Sequence, residues 1–516
     1  MKFSFPLLVA ASVVLADTFT NPVLWNDLAD LDVFRVEDTY YYSASTMHYS
    51  PGAPVLRSHD LVNWEYIGHS VPSLDFGRDD AYNLLNGEHA YVNGIWASFL
   101  NYRLSTGTFI WGGCIDFSKT YIYTAADAAG PYTQASVIDK CYYDAGLLVD
   151  EDTDTLYVAY GSTNIQVAQL SEDGLSEVSS QTVYNGSEPP EYIEGSRMYK
   201  INGTYYIAVT RPANAERILK STSGPFGPYE ERSLVDSLVS PVGGGGSPHQ
   251  GGLVSTPEGK WYYMGFSDAY PGGRIPVLAP ITFDADGWPA LDTTEWQTSY
   301  DYPTGTALGN SDTVGVDAFD GPDLGPKWEW NHNPDTSKFT VDAGLTLQAA
   351  TITDDLFAAR NTLTHRILGP KSSGTIELRY GSMADGDIAG LSLFRDKAAY
   401  VGVKRTGQTF QVVYVDGLEQ DSDNSWATIN KGTQQAAADL SGDSVQLRLT
   451  ADIAPNGTHL GQFAYSTNGE DFTQIGESTM TTEWEYFMGY RFGIFNFATV
   501  ALGGSVLVPS FDLELA

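Results

Sequence analysis

The chain reads as all-β: a five-bladed β-propeller followed by a β-sandwich. Three observations predict this. A turn followed by an aromatic, alternating strand recurs at "VEDTYYYSAS" (36–45), "VNGIWASFL" (92–100), "DTDTLYVAYG" (152–161), "INGTYYIAVT" (201–210) and "PEGKWYYMGF" (257–266). The spacing is roughly 50–60 residues, the period of a multi-stranded propeller blade. That pattern stops after "DGWPAL" (286–291), and a second texture of short alternating strands begins at Phe319. No long amphipathic helix interrupts either part.

Residues 1–16 read as a signal peptide. One lysine precedes an apolar run, and small residues stand before a cleavage point after Ala16. No later run reaches the ~18 apolar residues of a transmembrane helix. The expectation is a secreted, extracellular chain with no membrane partner. Residues 17–300 hold the five blades. A second element follows some of the repeated strands, at "LRSHDLVNWEYIG" (56–68), "YTAADAAGPYTQA" (123–135) and "KSTSGPFGPYEER" (220–232). Each reads as a strand, a turn rich in Asp, Gly or Pro, and a short edge strand. Two such elements in a constant order favour blades over unrelated hairpins.

Residues 301–318 are rich in Gly, Asp and Thr and read as a linker. Residues 319–516 carry short alternating strands between NG and DG turns, the pattern of a sandwich. With no exposed aromatic row identifiable in it, the sandwich reads as a buttress for the propeller.

A net charge of −36 with no Lys/Arg cluster argues against nucleic acid. It fits a solvated acidic surface and a neutral partner. The two cysteines, Cys114 and Cys141, are free to pair outside the cell, and the sequence leaves open whether they meet. Zinc spacing is absent. Sequons at Asn185, Asn202 and Asn456 mark glycan sites on expected surface turns.

A propeller brings the start of each blade to a common axis, so acids there are the candidates for chemistry. The first blade offers Asp27, Asp30 and Asp32 in "NDLADLDVFRV" (26–36). A capping or turn role is the plain alternative for any one of them. The third offers Asp144 in "CYYDAGLLVDEDTDT" (141–155), whose later acids read as a solvated turn. The fourth offers Glu188, Glu191 and Glu194 in "SEPPEYIEGSRMYK" (187–200). Their spacing suggests a helix face, which Pro189 and Pro190 deny. Glu188 and Glu191 become loop acids, and Glu194 opens a strand. The fifth offers His249 in "SPHQGGLV" (247–254) and Arg274 in "YPGGRIPVLAP" (270–280). Two carboxylates flanking a glycosidic bond suffice for its hydrolysis, and a third beside the acid keeps it protonated.

Five motifs in this order resemble glycoside hydrolase family 43. "LADLDVFRV", "YYDAGLLVDED", "IEGSRMYKINGTYYI", "PHQGGLV" and "GGRIPVLAP…DGWP" carry the resemblance. It implies an inverting hydrolase of arabinose- or xylose-bearing plant polysaccharide. Asp30 matches the general base, Asp144 the modulator of the acid's pKa and Glu194 the general acid. Arg274 and His249 match a pocket arginine and an axial histidine, and with Trp96 they are the expected substrate-binding residues. Many members read Asp-Pro-Ser where this chain has Asp30-Leu31-Asp32, which makes Asp32 a rival base.

No cofactor is implied, with a structural calcium or a water beside His249 as alternatives. Trp96, with Trp25 and Tyr143, is a candidate for stacking on sugar, core packing being the alternative. The whole-chain texture resembles fungal arabinofuranosidases acting on arabinoxylan, with a concanavalin-like C-terminal domain. The implied partner is arabinoxylan or its oligosaccharides, met by a monomer. A β-1,4-xylosidase and a non-catalytic carbohydrate-binding propeller are the other readings.

Overall fold

The computed structural model describes residues 17–186, 192–291, 295–308 and 314–516. The expected signal peptide, Glu188 and Glu191 lie outside the described residues. Among those described, no helix is long and apolar enough to cross a membrane.

Five four-stranded antiparallel sheets follow one another along the chain. Their first strands are Asp32–Val36, Ile95–Arg103, Gly146–Asp150, Glu194–Ile201 and His249–Ser255. Each packs against the first strands of the blades before and after it, and the fifth returns to the first, closing a ring. This is the five-bladed propeller. Alternating aromatics such as Tyr40, Tyr42, Trp111, Tyr160 and Tyr263 are buried between blades, as period-2 patterning requires. Residues Thr18–Thr20 pair with Ser299–Asp301 and tie the end of the propeller to its beginning.

One repeat was out of phase. "VNGIWASFL" enters the first strand of the second blade, whereas its apparent equivalents enter second strands. The matching strand of blade 2 is Thr108–Ile115. Both strand types are aromatic and follow a turn, so local pattern does not tell them apart. The second elements at 56–68, 123–135 and 220–232 do join third strands to edge strands.

The C-terminal domain is a sandwich of an eight-stranded and a nine-stranded sheet. Leu345, Ile376, Leu391, Val401, Leu447, Phe463, Phe492 and Phe511 fill the space between them. The strand Ala427–Leu440 escaped the sequence reading because it is a polar, mostly exposed edge strand. Both ends of the expected linker are strand: Ser299–Asp301 belongs to the propeller closure and Gly315–Asp317 pairs with Phe511–Leu515. Residues 309–313 lie outside the described residues.

The two domains are knitted together. Tyr49–Ser50, from a loop of blade 1, forms the end strand of the eight-stranded sheet beside Trp328–Asn331. Around it Met47, Tyr49 and Tyr91 of the propeller pack with Phe357, Tyr486, Met488 and Phe495 of the sandwich. Buried Glu329 accepts from Arg366 at 2.9 Å and Arg491 at 2.6 Å, and lies 3.1 Å from His69. Those arginines hold its carboxyl well below the usual range despite its burial.

Candidate active site

Three carboxylates converge at one mouth of the propeller. Asp30 and Asp144 each stand two residues before a first strand, and Glu194 opens one. Asp30 has φ +55° and Asp144 φ +48°, left-handed conformations uncommon outside glycine. Glu194 is followed by Gly195 at φ +71°. A Cβ on Gly195 would lie 2.8 Å from the Gln250 side chain, so only glycine fits this bend. Bulges interrupt the first strands of blades 2, 4 and 5, between Ile95 and Ser98, Glu194 and Arg197, and His249 and Gly252. A bulge re-aims side chains next to a site. Here Trp96 and Gln250 fall inside bulges, and both line the cavity.

That cavity has a volume of about 470 Å³. Asp30, Asp144, Glu194 and Arg274 line it, with Trp96, Phe117, Tyr143 and Tyr192 around them. Asp30 is held at both oxygens: Oδ1 accepts from Arg274 Nη1 at 2.6 Å and Oδ2 from Ser45 Oγ at 2.7 Å. Tyr143 Oη donates to Glu194 Oε2 at 2.8 Å and lies 3.4 Å from Tyr192 Oη. Burial and the charges of Asp144 and Glu194 push the Tyr143 hydroxyl well above its usual range, so it stays a donor.

The electrostatics separate the three acids. Burial pushes Asp144 well above the carboxylate range, and the charges of Glu194 and Asp30 add to this. Burial also raises Glu194. The Tyr143 and Tyr192 hydroxyls oppose that shift, and the Asp30 charge reinforces it. Burial thus biases both Asp144 and Glu194 toward their protonated forms, whereas Asp30 faces a guanidinium. An acid kept protonated opposite an ion-paired carboxylate is the division of labour that glycoside hydrolysis needs.

Replacing Asp144 by Asn removes a negative charge that helps the pair keep its proton. The alkaline limb of kcat/KM should then move to lower pH, read from a full pH–rate profile. A limb that stays or moves upward contradicts the coupling.

Asp32, the rival base, faces the other way along the axis. Its Oδ2 accepts from Leu100 N at 3.1 Å, and burial lifts its pKa to about 6. It lines a cavity of about 480 Å³ at the opposite mouth, which holds neither Asp30, Asp144 nor Glu194. Trp25 is a packing residue, half-buried between the domains, with its ring against Gly369.

His249 needs a correction as a sugar-binding residue, because it does not line the cavity; its bulge neighbour Gln250 does. Its Nδ1 lies 2.9 Å from the Ser247 carbonyl and its Nε2 3.9 Å from Asp268. Calcium takes about 6–8 oxygen ligands, and these residues alone do not make such a cage. Among the described residues, no three His, Cys, Asp or Glu side chains cluster to hold a metal ion. Cys114 and Cys141 form a disulfide, which ties blade 2 to the loop before Asp144. Asn185, Asn202 and Asn456 are all exposed.

The sandwich does more than buttress. Its loop places Trp484 and Phe487 in the cavity wall. Phe487 packs edge-on against Trp96, with ring centroids 4.9 Å apart. Asp27 clamps this loop. Its Oδ1 accepts from Arg274 N at 2.8 Å and its Oδ2 from Gly489 N at 2.9 Å. Arg274 Nε donates to the Phe487 carbonyl at 3.1 Å, so one guanidinium touches both Asp30 and the sandwich.

The backbones meet so closely that a Cβ on Gly489 would lie 2.2 Å from the Gly272 carbonyl. Gly489→Ala should destabilise by about 1–3 kcal/mol, seen as a lower melting temperature. It should also raise KM for polysaccharide by displacing Trp484 and Phe487. An unchanged KM in the folded variant separates that wall from binding. The run "WEYFMGY" was a visible signal for this wall, but nothing local ties it to a site far upstream.

The comparisons with known proteins agree with this geometry. Residues 19–289 match the model of glycosyl hydrolases family 43, and residues 316–513 that of the beta xylosidase C-terminal concanavalin A-like domain. A putative beta-xylosidase of Xylanibacter ruminicola is 30% identical over 92% of this chain and 86% of its own. A non-reducing end alpha-L-arabinofuranosidase of Bacteroides ovatus is 30% identical over 63% of each chain. One solved structure is 48% identical with a TM-score of 0.93, over 97% of this chain and 100% of its own. It is described as an engineered GH43 glycoside hydrolase with both endo-xylanase and exo-arabinofuranosidase activity. With the carboxylate trio at the propeller mouth, these matches make the chain an O-glycosyl hydrolase that belongs to glycosyl hydrolases family 43.

Proposed function

We propose that this enzyme removes non-reducing terminal α-L-arabinofuranosyl units from arabinoxylan with inversion, including units on doubly substituted xylose. The observation that carries the choice of sugar is the 48% identity, over nearly the full chain, to an enzyme described as having exo-arabinofuranosidase activity. A compact cavity ending on the three carboxylates supports the exo mode, since it suits one terminal sugar. Exposed Phe117, Tyr192 and Trp484 at that cavity suit the polysaccharide beyond it.

In this mechanism Asp30 takes a proton from water as the water attacks the anomeric carbon. Glu194 gives its proton to the departing oxygen. Asp144 keeps that proton available, Tyr143 orients Glu194, and Arg274 with Ser45 orients Asp30. Water and side chains complete the proton balance without a cofactor. We also take the chain to be secreted as a monomer, cleaved after Ala16 and glycosylated at Asn185, Asn202 and Asn456. Mass spectrometry of the secreted protein tests those assignments.

A β-1,4-xylosidase is the second reading, favoured by the β-xylosidase names of relatives such as that of Xylanibacter ruminicola. Proton NMR of a doubly substituted arabinoxylan digest separates the two. Arabinose released first as the inverted anomer is expected. Xylose released without arabinose overturns the proposal in favour of the second reading.

A further inference from the structure

The side chain directly beneath the carboxylate trio has no part in the mechanism above. Arg197 is almost fully buried on the propeller axis, three residues after Glu194. Its Nε donates to the Leu31 carbonyl at 2.9 Å and its Nη2 to the Asp30 carbonyl at 2.8 Å. Its Nη1 donates to the carbonyls of Ala145 at 2.8 Å and Ser196 at 2.9 Å. These four acceptors come from the starts of blades 1, 3 and 4. One belongs to Asp30, one to the residue after Asp144, and one to the strand that Glu194 opens. Blades 3 and 4 are joined again where Ser196 N donates to the Asp144 carbonyl at 2.9 Å.

We propose that Arg197 is a positioning residue that holds Asp30, Asp144 and Glu194 in mutual register by binding the backbone under all three. The three peptide segments come from separate blades, and each carries a left-handed residue at the carboxylate or beside it. At Asp30 and Asp144 this non-glycine conformation costs of order 1–3 kcal/mol and persists where surrounding contacts over-determine it. A guanidinium presents five donors in a rigid plane and suits four converging carbonyls. An ammonium on a flexible stem engages fewer of them at once. Catalysis requires the placement, since a 1 Å error costs on the order of 10²-fold in rate. The Arg197 charge also lies 3.6 Å from Asp32, which keeps a counter-charge beside it.

The cavity at the opposite mouth is lined by Arg197 and Asp32, so the guanidinium site can be reached from that face. This permits a chemical test. Arg197→Ala should lower kcat by roughly 10²-fold on whichever aryl pentoside the enzyme turns over, with KM changed far less. Guanidinium ion at millimolar concentration should restore part of kcat, and neutral urea at the same concentration should not. The alkaline limb of the pH–rate profile should move up in the variant, because a positive charge near Asp144 is gone.

If the alanine variant does not fold, Arg197→Lys keeps a cation in the same space. It should melt cooperatively and still lose kcat with KM retained. Wild-type kcat in either folded variant overturns the proposal. So does a loss confined to KM, or relief that is absent with guanidinium or equal with urea. The proposal rests on the roles given to Asp30, Asp144 and Glu194. Those roles fail separately, through full activity in Glu194→Gln or Asp30→Asn, whatever Arg197 does.

Discussion

Glu194→Gln lowers kcat on arabinoxylan by roughly 10²–10⁴-fold, the contribution of a general acid. The amide is isosteric and still accepts from Tyr143 Oη, which now stands 2.8 Å from Glu194 Oε2. What it lacks is a transferable proton. A sugar alkoxide leaves poorly without one, whereas an activated phenolate leaves well. The same variant therefore loses far less activity on an aryl pentoside, and its alkaline limb on that substrate disappears. Steady-state kinetics on both substrates read the contrast. Retained hydrolysis of arabinoxylan removes Glu194 from the acid's role.

Asp30→Asn shows the opposite pattern. The attacking water needs a base whatever the leaving group, so kcat should fall by a comparable roughly 10²–10⁴-fold on both substrates. A second effect accompanies it. Asp30 is the ion partner of buried Arg274, at 2.6 Å. Breaking a buried pair from one side costs about 3–5 kcal/mol, less where the replacement still accepts a hydrogen bond, as Asn does. The melting temperature should therefore fall in Asp30→Asn and hold in Glu194→Gln, whose acid has no such ion partner among the described residues. Equal melting temperatures with equal losses on both substrates would leave base and acid indistinguishable and refute this division of roles.

Much of the site was legible because the relevant signals are local. Asp30, Asp144 and Glu194 each precede or open an alternating strand, and a repeated blade sends equivalent positions to one axis. The prolines that deny a helix at 187–191 isolate Glu194 from its neighbours without any structure. Other residues were misjudged for reasons equally physical. Asp30 and Asp32 are two apart, the spacing that puts side chains on one face of a strand. Yet Asp30 lies before the strand in a left-handed conformation, and the two carboxylates point to opposite mouths. His249 stays out of the cavity and Gln250 enters it, because a bulge re-aims the strand there. Asp27 reads from sequence as a candidate acid or a turn residue and is neither, because its partners Arg274 and Gly489 stand far along the chain.

By itself the sequence determined the all-β architecture, the five blades, the change of texture near residue 319 and the three carboxylates. Hydrophobic alternation, turn residues and blade period are properties of neighbouring residues, so they are written locally. Only the tertiary structure decided that Arg197 plugs the axis, that Asp27 clamps the two domains, and that Trp484 and Phe487 finish the cavity. Each of those depends on where a side chain points after a bulge or a left-handed bend, and on contacts made across hundreds of residues. No local pattern carries that information, because it arises only once the ring closes and the sandwich docks against it.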